Sequence, residues 1–228
     1  MSLELTWLGH ASWLLQTAEH KIIVDPFISE NPSATASVGE LEADFVLLTH
    51  GHFDHVADAA EIANRCNATL VANYEIATWF AEKHQVKNTI GMNLGGNVVM
   101  PFGSVKMTLA WHSSQLPDGS YGGNPGGFHV ERGGKKVYFA GDTALFSDMM
   151  LIGAAGVDVA ILPIGDLFTM GPQDSVEAAK FLKAKVVIPA HYNTWPPIEQ
   201  DAAAWAASVE QATSSKPIVP QVGLPIAL

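Results

Sequence analysis

The densest group of potential metal ligands in the sequence lies in one short stretch, His50-Gly51-His52-Phe53-Asp54-His55. It holds three imidazoles and a carboxylate, directly after an apolar segment that is typical of a buried strand. Imidazole nitrogen and carboxylate oxygen suit zinc, manganese or iron, and a catalytic zinc site keeps one position open for water. The alternative is a polar loop held by its own hydrogen bonds, which this density of ligands disfavours.

More residues of ligand type stand just past the ends of other apolar segments. They are His10, Asp25, His112, Asp142 and His191. Because strands that share a sheet edge end together, we expect these side chains to converge on one cleft. The sequence therefore predicts a metal site at that edge.

Each of these residues also has a purely structural interpretation. Asp142 could cap a following helix, since Asp is a favoured N-cap, and His112 and His191 could be hydrogen-bonded core imidazoles. Given the dense cluster, we interpret these three as ligands, with Asp142 suited to bridge two cations. His10 and Asp25 are predicted to orient ligands rather than to touch metal.

The elements that must position these residues are short strands that end in Gly, Pro, Asp or His, with helices between them. The predicted strands are Leu3–Leu8, Ser12–Gln16, Lys21–Val24, Phe45–Leu48, Thr69–Ala72, Val98–Met100, Val105–Ala110, Gly127–Glu131, Lys136–Ala140, Val157–Leu162 and Val186–Ile188. The predicted helices are Ala57–Arg65, Glu75–His84, Ala144–Gly153, Ser175–Lys183 and Asp201–Gln211. Gly91–Gly96 and Pro117–Gly127 are predicted loops, the second a mobile flap, and His129 is predicted to face solvent. The pattern indicates a layered α/β fold whose halves permit a duplicated pair of sheets.

Composition limits the class of protein. With 228 residues and 48% hydrophobic content, we predict one domain over residues 1–228. The net charge of −11 and the lack of a basic stripe argue against a nucleic-acid partner. Cys66 is the single cysteine, and neither a signal peptide after Met1 nor an apolar run of roughly 20 residues is found, so we expect a cytoplasmic protein without a membrane partner. Pro217–Leu228 is expected to cover the core or a partner subunit, which leaves a homo-oligomer open.

Positions 50 to 55 match the H-x-H-x-D-H motif of the metallo-β-lactamase superfamily, and the resemblance extends through His112, Gly141-Asp142-Thr143 and His191. It implies an α/β fold of four layers, αββα, with two mixed sheets facing each other and helices outside. It also implies two divalent metal ions per chain, with zinc or manganese favoured and nickel or iron as alternatives. The implied ligands are His50, His52 and His112 for one ion and Asp54, His55 and His191 for the other, with Asp142 as the bridge.

Two further motifs, Leu8-Gly9-His10-Ala11-Ser12 and Val24-Asp25-Pro26-Phe27, resemble a compact branch of metal-dependent hydrolases that is related to L-ascorbate 6-phosphate lactonases. Those lactonases are longer, so their substrate is not carried over. β-Lactamases with two zinc ions have cysteine where Asp142 stands, so antibiotic hydrolysis is not expected. The chain also has no room for the inserted domain of the superfamily's nucleases.

The function predicted on this basis is hydrolysis of a small-molecule ester, lactone or phosphodiester by a metal-bridging hydroxide. Asp54 is predicted to accept a hydrogen bond from the nucleophile, and His10 or His191 to assist the leaving group. Gly165–Gly171, with Asn193 and Thr194, is predicted to form part of the substrate wall.

Two other functions stay open. One is an iron-dependent redox enzyme on the same fold, similar to a thiol dioxygenase. Flavin-linked diiron members resemble the chain less, because they have an acid where His52 stands. The other is a non-enzymatic metal-binding protein, which would bind metal without turnover.

Overall fold

The computed structural model describes residues 3–228, and Met1 and Ser2 of the predicted domain lie outside the described residues. The strands are β1 (Leu3–Gly9), β2 (Ser12–Thr17), β3 (Lys21–Val24), β4 (Phe45–Leu47), β5 (Thr69–Asn73), β6 (Thr89–Met92), β7 (Asn97–Met100), β8 (Gly103–Leu109), β9 (Gly126–Arg132), β10 (Lys135–Phe139), β11 (Val159–Pro163), β12 (Val186–Ala190), β13 (Lys216–Pro217) and β14 (Pro225–Ala227). The helices are α1 (Phe53–Val56), α2 (Ala59–Cys66), α3 (Tyr74–His84), α4 (Met149–Ala154), α5 (Pro172–Leu182) and α6 (Ala202–Ala212). Short 3₁₀ turns cover Val38–Glu40 and Pro196–Ile198.

The strands form two seven-stranded sheets with the same pattern of pairing. The first has the order β14-β1-β2-β3-β4-β5-β6, and the second has the order β13-β12-β11-β10-β9-β8-β7. In the first sheet the pairs from β14 to β3 are antiparallel and those from β3 to β6 are parallel. In the second the pairs from β7 to β10 are antiparallel and those from β10 to β13 are parallel. Strands β3 and β10 are therefore equivalent: each is the fourth strand of its sheet, where the pairing changes from antiparallel to parallel. Asp25 follows β3, and Asp142 follows β10.

The main core lies between the inner faces of the two sheets. In β1, Leu5 and Trp7 are buried while the intervening Thr6 is half-buried, which is the alternation of a strand with one face inward. Central strands β4 and β11 are buried at every position, as parallel strands covered on both faces should be. A second cluster joins Ile62 of α2 and Phe80 of α3 to the outer face of the first sheet.

Helices cover the outer faces of both sheets. Helices α2 and α3 contact the first sheet, and α5 and α6 contact the second. The predicted four-layer αββα arrangement, with two mixed sheets facing each other, is therefore confirmed. None of the helices between Leu3 and Leu228 combines the length and the apolar character that a bilayer crossing needs.

The helix predicted over Ala144–Gly153 is wrong in its first half, because helical structure covers only Met149–Ala154. The Ala144 backbone N–H donates to Trp111 O at 3.0 Å, and Trp111 N–H donates to Thr143 Oγ1 at 2.9 Å. These bonds pair residues 143 and 144 with the loop at Trp111, so their backbone does not form a helical turn. Asp142 therefore caps no helix.

Three other local predictions also differ from the structure. The helix predicted over Ala57–Arg65 begins at Ala59 instead, and the carboxylate of the preceding Asp58 accepts hydrogen bonds from the backbone of Ile28 and Ser29. The predicted loop Gly91–Gly96 begins within strand β6, where a Cβ on Gly91 would lie 3.1 Å from Tyr74 Cα, so the glycine permits close packing against α3. His129 is buried, and its Nε2 contacts Gly156 O at 3.0 Å instead of facing solvent.

Candidate metal centre

Tight backbone turns follow three of the strands that carry predicted site residues. His10, Asp25 and His191 come directly after β1, β3 and β12, with positive φ values of 55°, 48° and 53°. This left-handed conformation is uncommon outside glycine, costs about 1–3 kcal/mol per residue, and is found mostly where surrounding structure enforces it. The backbone N–H of His191 donates to His10 O at 3.0 Å, which joins the two sheets at the site.

The first group of potential ligand atoms belongs to His50, His52 and His112, which lie within 4.8 Å of one another. His50 follows β4, His52 precedes the first residue of α1, and His112 follows β8 of the other sheet. The Nδ1 atom of His52 lies 3.1 Å from His50 Nε2 and 3.3 Å from His112 Nε2. The three rings thus converge from both sheets.

The second group consists of Asp54 and His55 on α1 together with His191 and His10, again within 4.8 Å. Asp54 Oδ2 is the common neighbour, at 3.8 Å from His55 Nε2 and 3.6 Å from His191 Nε2. His10 Nε2 is closer, at 3.0 Å. His10 is fully buried behind Asp54, and its other nitrogen, Nδ1, contacts Thr194 Oγ1 at 2.8 Å.

Asp142 stands between the two groups. Its Oδ2 atom lies 3.9 Å from His50 Nε2 and 3.6 Å from His112 Nε2 on one side. On the other side it lies 3.4 Å from His55 Nε2 and 3.1 Å from His191 Nε2. One carboxylate therefore faces imidazoles of both groups, which is the geometry that a bridging ligand requires.

A hydrogen-bond network around Asp25 sets the tautomers of two imidazoles. Asp25 accepts hydrogen bonds from the Thr49 backbone N–H at 2.8 Å, the Thr49 hydroxyl at 2.6 Å and His55 Nδ1 at 2.9 Å. Because the Thr49 hydroxyl has given its hydrogen to Asp25, its oxygen accepts from His50 Nδ1 at 3.0 Å. Both His50 and His55 therefore use Nδ1 in these bonds and turn Nε2, the nitrogen that can bind metal, toward the centre.

Burial and mutual charge shift the pKa values of the centre in opposite directions. Burial raises the pKa of Asp142, but His191 and His55 outweigh it and hold that pKa well below its ordinary value. Burial lowers the pKa of His191, yet Asp142 and Asp54 raise it to about 9. The pKa of His50 is well below its usual range, through burial and then repulsion from His55. The carboxylates are therefore ionised, and only some of the neighbouring imidazoles are protonated.

Divalent metal ions fit this donor set. His55 Nε2 and Asp142 Oδ1 are buried, and neither has a hydrogen-bond partner within the described residues. Such unpaired groups are costly unless a ligand satisfies them. Nitrogen and oxygen donors, without thiolate, suit zinc, manganese or iron, and an ion bound there would also replace the protons held by the imidazoles.

Members of both groups, together with Asp142, form the floor of a cleft of about 560 Å³. Its floor residues are His52, Asp54, His112, Asp142 and His191. Its apolar walls are Phe53, Leu116, Pro117, Phe168 and Trp195. Ser113, Gln115 and Gly119 complete the lining. Hereafter "the cleft" means this set of residues.

The predicted substrate wall is only partly present in the cleft. From Gly165–Gly171 the structure brings Phe168 alone into the lining. Thr194 contacts His10 instead, and the Asn193 side chain accepts a hydrogen bond from the Gln200 backbone at 2.7 Å. Trp195 also lines the cleft, directly after the segment named from the sequence.

The loop predicted as a flap does border the cleft, through Pro117 and Gly119. Asn73 Nδ2 donates to Gly122 O at 2.7 Å and to Asn124 O at 3.1 Å. Leu116 is 2% exposed and belongs to the cluster under the first sheet. The loop is thus anchored at several points, and its mobility stays a prediction.

Comparisons with known proteins agree with this geometry. A family model described as beta-lactamase superfamily domain matches residues 4–191, which include every predicted metal ligand. A UPF0173 metal-dependent hydrolase from Thermus thermophilus is 51% identical over 203 residues, covering 89% of this chain and 89% of the relative. A second from Pelotomaculum thermopropionicum is 48% identical over 219 residues, covering 94% and 95%.

Among solved structures, Igni18, a metallo hydrolase from the archaeon Ignicoccus hospitalis, matches with a TM-score of 0.89. It is 33% identical and covers 100% of this chain and 99% of its own. The match therefore includes both sheets and both halves of the metal centre.

Proposed function

Because the chain belongs to the beta-lactamase superfamily, in the branch of the UPF0173 metal-dependent hydrolases, we propose that it is a binuclear metal-dependent hydrolase of a small ester, lactone or phosphodiester. The observation that carries this proposal is Asp142 Oδ2, which faces imidazoles of two separate ligand groups at the floor of a cleft. The membership confirms the resemblance inferred from positions 50 to 55, whereas the link to L-ascorbate 6-phosphate lactonases stays a prediction.

The proposed ligands fall into the two groups that are described above. His50, His52 and His112 would hold one ion, and Asp54, His55 and His191 would hold the other, with Asp142 between them. Zinc or manganese is favoured by the donor atoms. When bound, such ions lower the pKa of water toward neutrality and stabilise negative charge on a substrate oxygen.

Asp54 and His10 are proposed to act as a pair. Burial, followed by the charge of His191, lowers the pKa of His10 to about 4, so the ring is neutral near pH 7. A neutral ring can donate from Nε2 to Asp54 while Nδ1 accepts from the Thr194 hydroxyl. His10 would therefore hold the Asp54 carboxylate in the position where it can accept a hydrogen bond from the nucleophile.

His191 is the better placed of the two histidines that were predicted to assist the leaving group. It lines the cleft, whereas His10 is fully buried and lies outside the lining. Proton delivery to a leaving group needs direct reach to substrate, so we assign positioning of Asp54 to His10. His191, whose Nε2 is proposed to bind an ion and whose Nδ1 is buried, would assist the leaving group through that ion and not as a proton donor.

The test is elemental analysis of protein purified without added metal, together with hydrolysis of ester, lactone and phosphodiester substrates. We expect close to two zinc or manganese ions per chain and turnover. Asp142→Ala should lose at least one ion and most of the activity, whereas Asp174→Ala, an exposed acid on α5, should keep both. Two ions and full activity in Asp142→Ala would refute the bridging role, and one iron ion without hydrolysis would favour the redox enzyme.

A further inference from the structure

The walls of the cleft differ sharply in character from its floor. Above the imidazoles and carboxylates the side walls are aromatic or aliphatic, and the remaining lining side chains, Ser113 and Gln115, are uncharged. Phe53 and Phe168 keep 50% and 54% of their surface exposed, so both rings are available to a ligand. Exposed aromatic rings beside a polar floor are typical of sites that bury an apolar group of the substrate.

One aromatic wall is held rigidly. The Phe53 ring packs edge-on against the fully buried Phe27, with ring centroids 5.7 Å apart. Trp195 lies 5.8 Å from Phe27 and 6.1 Å from Phe53, and it also contacts His10 at 4.9 Å. Because Phe53 lies between His52 and Asp54 in sequence, this wall has a fixed position relative to the floor. An aromatic or alkyl group bound here would be positioned without a large ordering cost.

Positive charge is missing from the walls. Among the described residues that line the cleft, none is Lys or Arg, and the charged acids are Asp54 and Asp142 on the floor. Sites that bind carboxylates or phosphates away from the reacting atoms use Arg or Lys, which supply charge and directed hydrogen bonds. The chain as a whole carries a formal net charge of −11, which repels anions approaching from solvent.

From these observations we infer that the substrate is an uncharged ester or lactone with an aromatic or alkyl group, and not one that bears a carboxylate or phosphate away from the reacting atoms. This inference rests on the proposed hydrolase function and narrows its substrate class. The reacting carbonyl lies over the metal floor, and the apolar group lies against Phe53, Trp195 and Phe168. Ser113 and Gln115 are left to contact uncharged polar atoms.

The test compares matched substrates with the metal-loaded protein. The 4-nitrophenyl ester of hexanoic acid and the 4-nitrophenyl hemiester of adipic acid have similar length and the same leaving group. The second carries a carboxylate that is too distant to attack its own ester readily. We expect kcat/KM for the neutral ester to exceed that for the hemiester by about tenfold or more, and the gap to shrink at high salt.

A pair of neighbouring variants separates wall charge from overall charge. Phe168→Lys places a cation on the cleft wall, whereas Leu167→Lys adds the same charge at the next residue, which is 68% exposed and outside the lining. Phe168→Lys should raise kcat/KM for the adipate hemiester about tenfold and lower it for the hexanoate ester, whereas Leu167→Lys should change either value by no more than about twofold. An equal effect of both variants would overturn the assignment of the wall.

Binding measurements distinguish failure of this inference from failure of the hydrolase proposal. Butyrophenone and 4-oxo-4-phenylbutyrate are a neutral and an anionic ketone that cannot be hydrolysed, and calorimetry gives their affinities for the metal-loaded protein. Tighter binding of butyrophenone without turnover of any ester would refute the hydrolase but support the apolar cleft. Turnover with equal or better use of the anionic hemiester would refute the substrate class and leave the hydrolase standing. If neither ketone binds and nothing is hydrolysed, both are refuted.

Discussion

At the scale of single residues, Thr49 and Asp25 decide what the neighbouring imidazoles offer to the centre. Asp25 is 1% exposed, and as a carboxylate it can only accept hydrogen bonds from Thr49 and His55. That leaves Nε2 of His50 and of His55 as the nitrogen that can give up its hydrogen to bind metal. Asp25, which need not touch an ion, thus orients His50 and His55, two residues that are proposed to bind metal.

Asp25→Asn should weaken metal binding more than it weakens the fold. The new amide has one acceptor oxygen where the carboxylate had two, so it cannot accept from both the Thr49 backbone N–H and His55 Nδ1. Where its nitrogen faces His55, that ring keeps the bond only by moving its own hydrogen to Nε2, facing the centre. We expect a loss of about 10–100-fold in metal affinity, as is typical when a partner of a metal-binding histidine is removed. Competition with a chromophoric chelator measures it.

The matched control for Asp25→Asn is Asp174→Asn. Asp174 is exposed in the first turn of α5, and the same change of charge there should leave metal affinity within about twofold of the unmodified chain. Unchanged affinity in Asp25→Asn, with the fold intact by circular dichroism, would show that this network does not set the tautomers.

At the scale of elements, Asn73 links a helix to the loop that borders the cleft. It is the N-cap of α3, where its Oδ1 accepts from Ile76 N–H at 2.9 Å. Its amide nitrogen meanwhile donates to the carbonyls of Gly122 and Asn124 in the loop. The Asn73 side chain, at the end of β5, therefore caps α3 and also holds the loop beside the cleft.

Asn73→Ala should cost stability and also loosen that loop. Loss of the cap costs about 1 kcal/mol, and buried loop carbonyls left without a donor bring the total to about 2–3 kcal/mol. Urea unfolding measures the first effect, and faster amide exchange over residues 114–124 reports the second.

Asp201→Ala provides the comparison for that experiment. Asp201 caps α6 through Ala203 and Ala204 and has no bond to the loop, so its removal should cost about 1 kcal/mol and leave exchange over residues 114–124 unchanged. Equal exchange in the two variants would mean that Asn73 does not anchor the loop.

At the scale of the whole molecule, the metal centre lies where the two sheets meet. His50 and the α1 residues belong to the first sheet's connections, whereas His112, Asp142 and His191 follow strands of the second. Large apolar clusters hold the fold independently of the centre. Ions bound by both sets of ligands would therefore stabilise the contact between sheets without being required for folding.

Removal of metal should thus lower the melting temperature but leave the chain folded. Each ion present at about 100 times its dissociation constant contributes about 2.7 kcal/mol, so two ions contribute about 5 kcal/mol, which for this chain length is a fall of roughly 10–20 °C. Calorimetry before and after chelation measures the shift, and added zinc should restore it. His50→Ala is the control, because it should respond less to chelator. An unchanged melting temperature in the native chain would argue against ions that join the two sheets.

The sequence by itself determined the chemistry of the centre and the type of fold. Ligands from His50 to His55 are close in space because they are close in the chain, and short apolar runs that end in polar residues specify strands regardless of what packs on them. The post-strand positions of Asp142 and His191 followed from the same pattern. These features depend on local sequence, which can be examined without knowing the fold.

Only the tertiary structure decided which distant side chains meet. It placed His10 behind Asp54, set the bond from Thr49 to His50, and brought Phe168 and Trp195 to face the cleft. It also placed Gly91 within strand β6, at a position where α3 packs closely against the glycine. The physical reason is that approach of residues far apart in the chain depends on how the two sheets and their helices pack, and no local pattern encodes that packing.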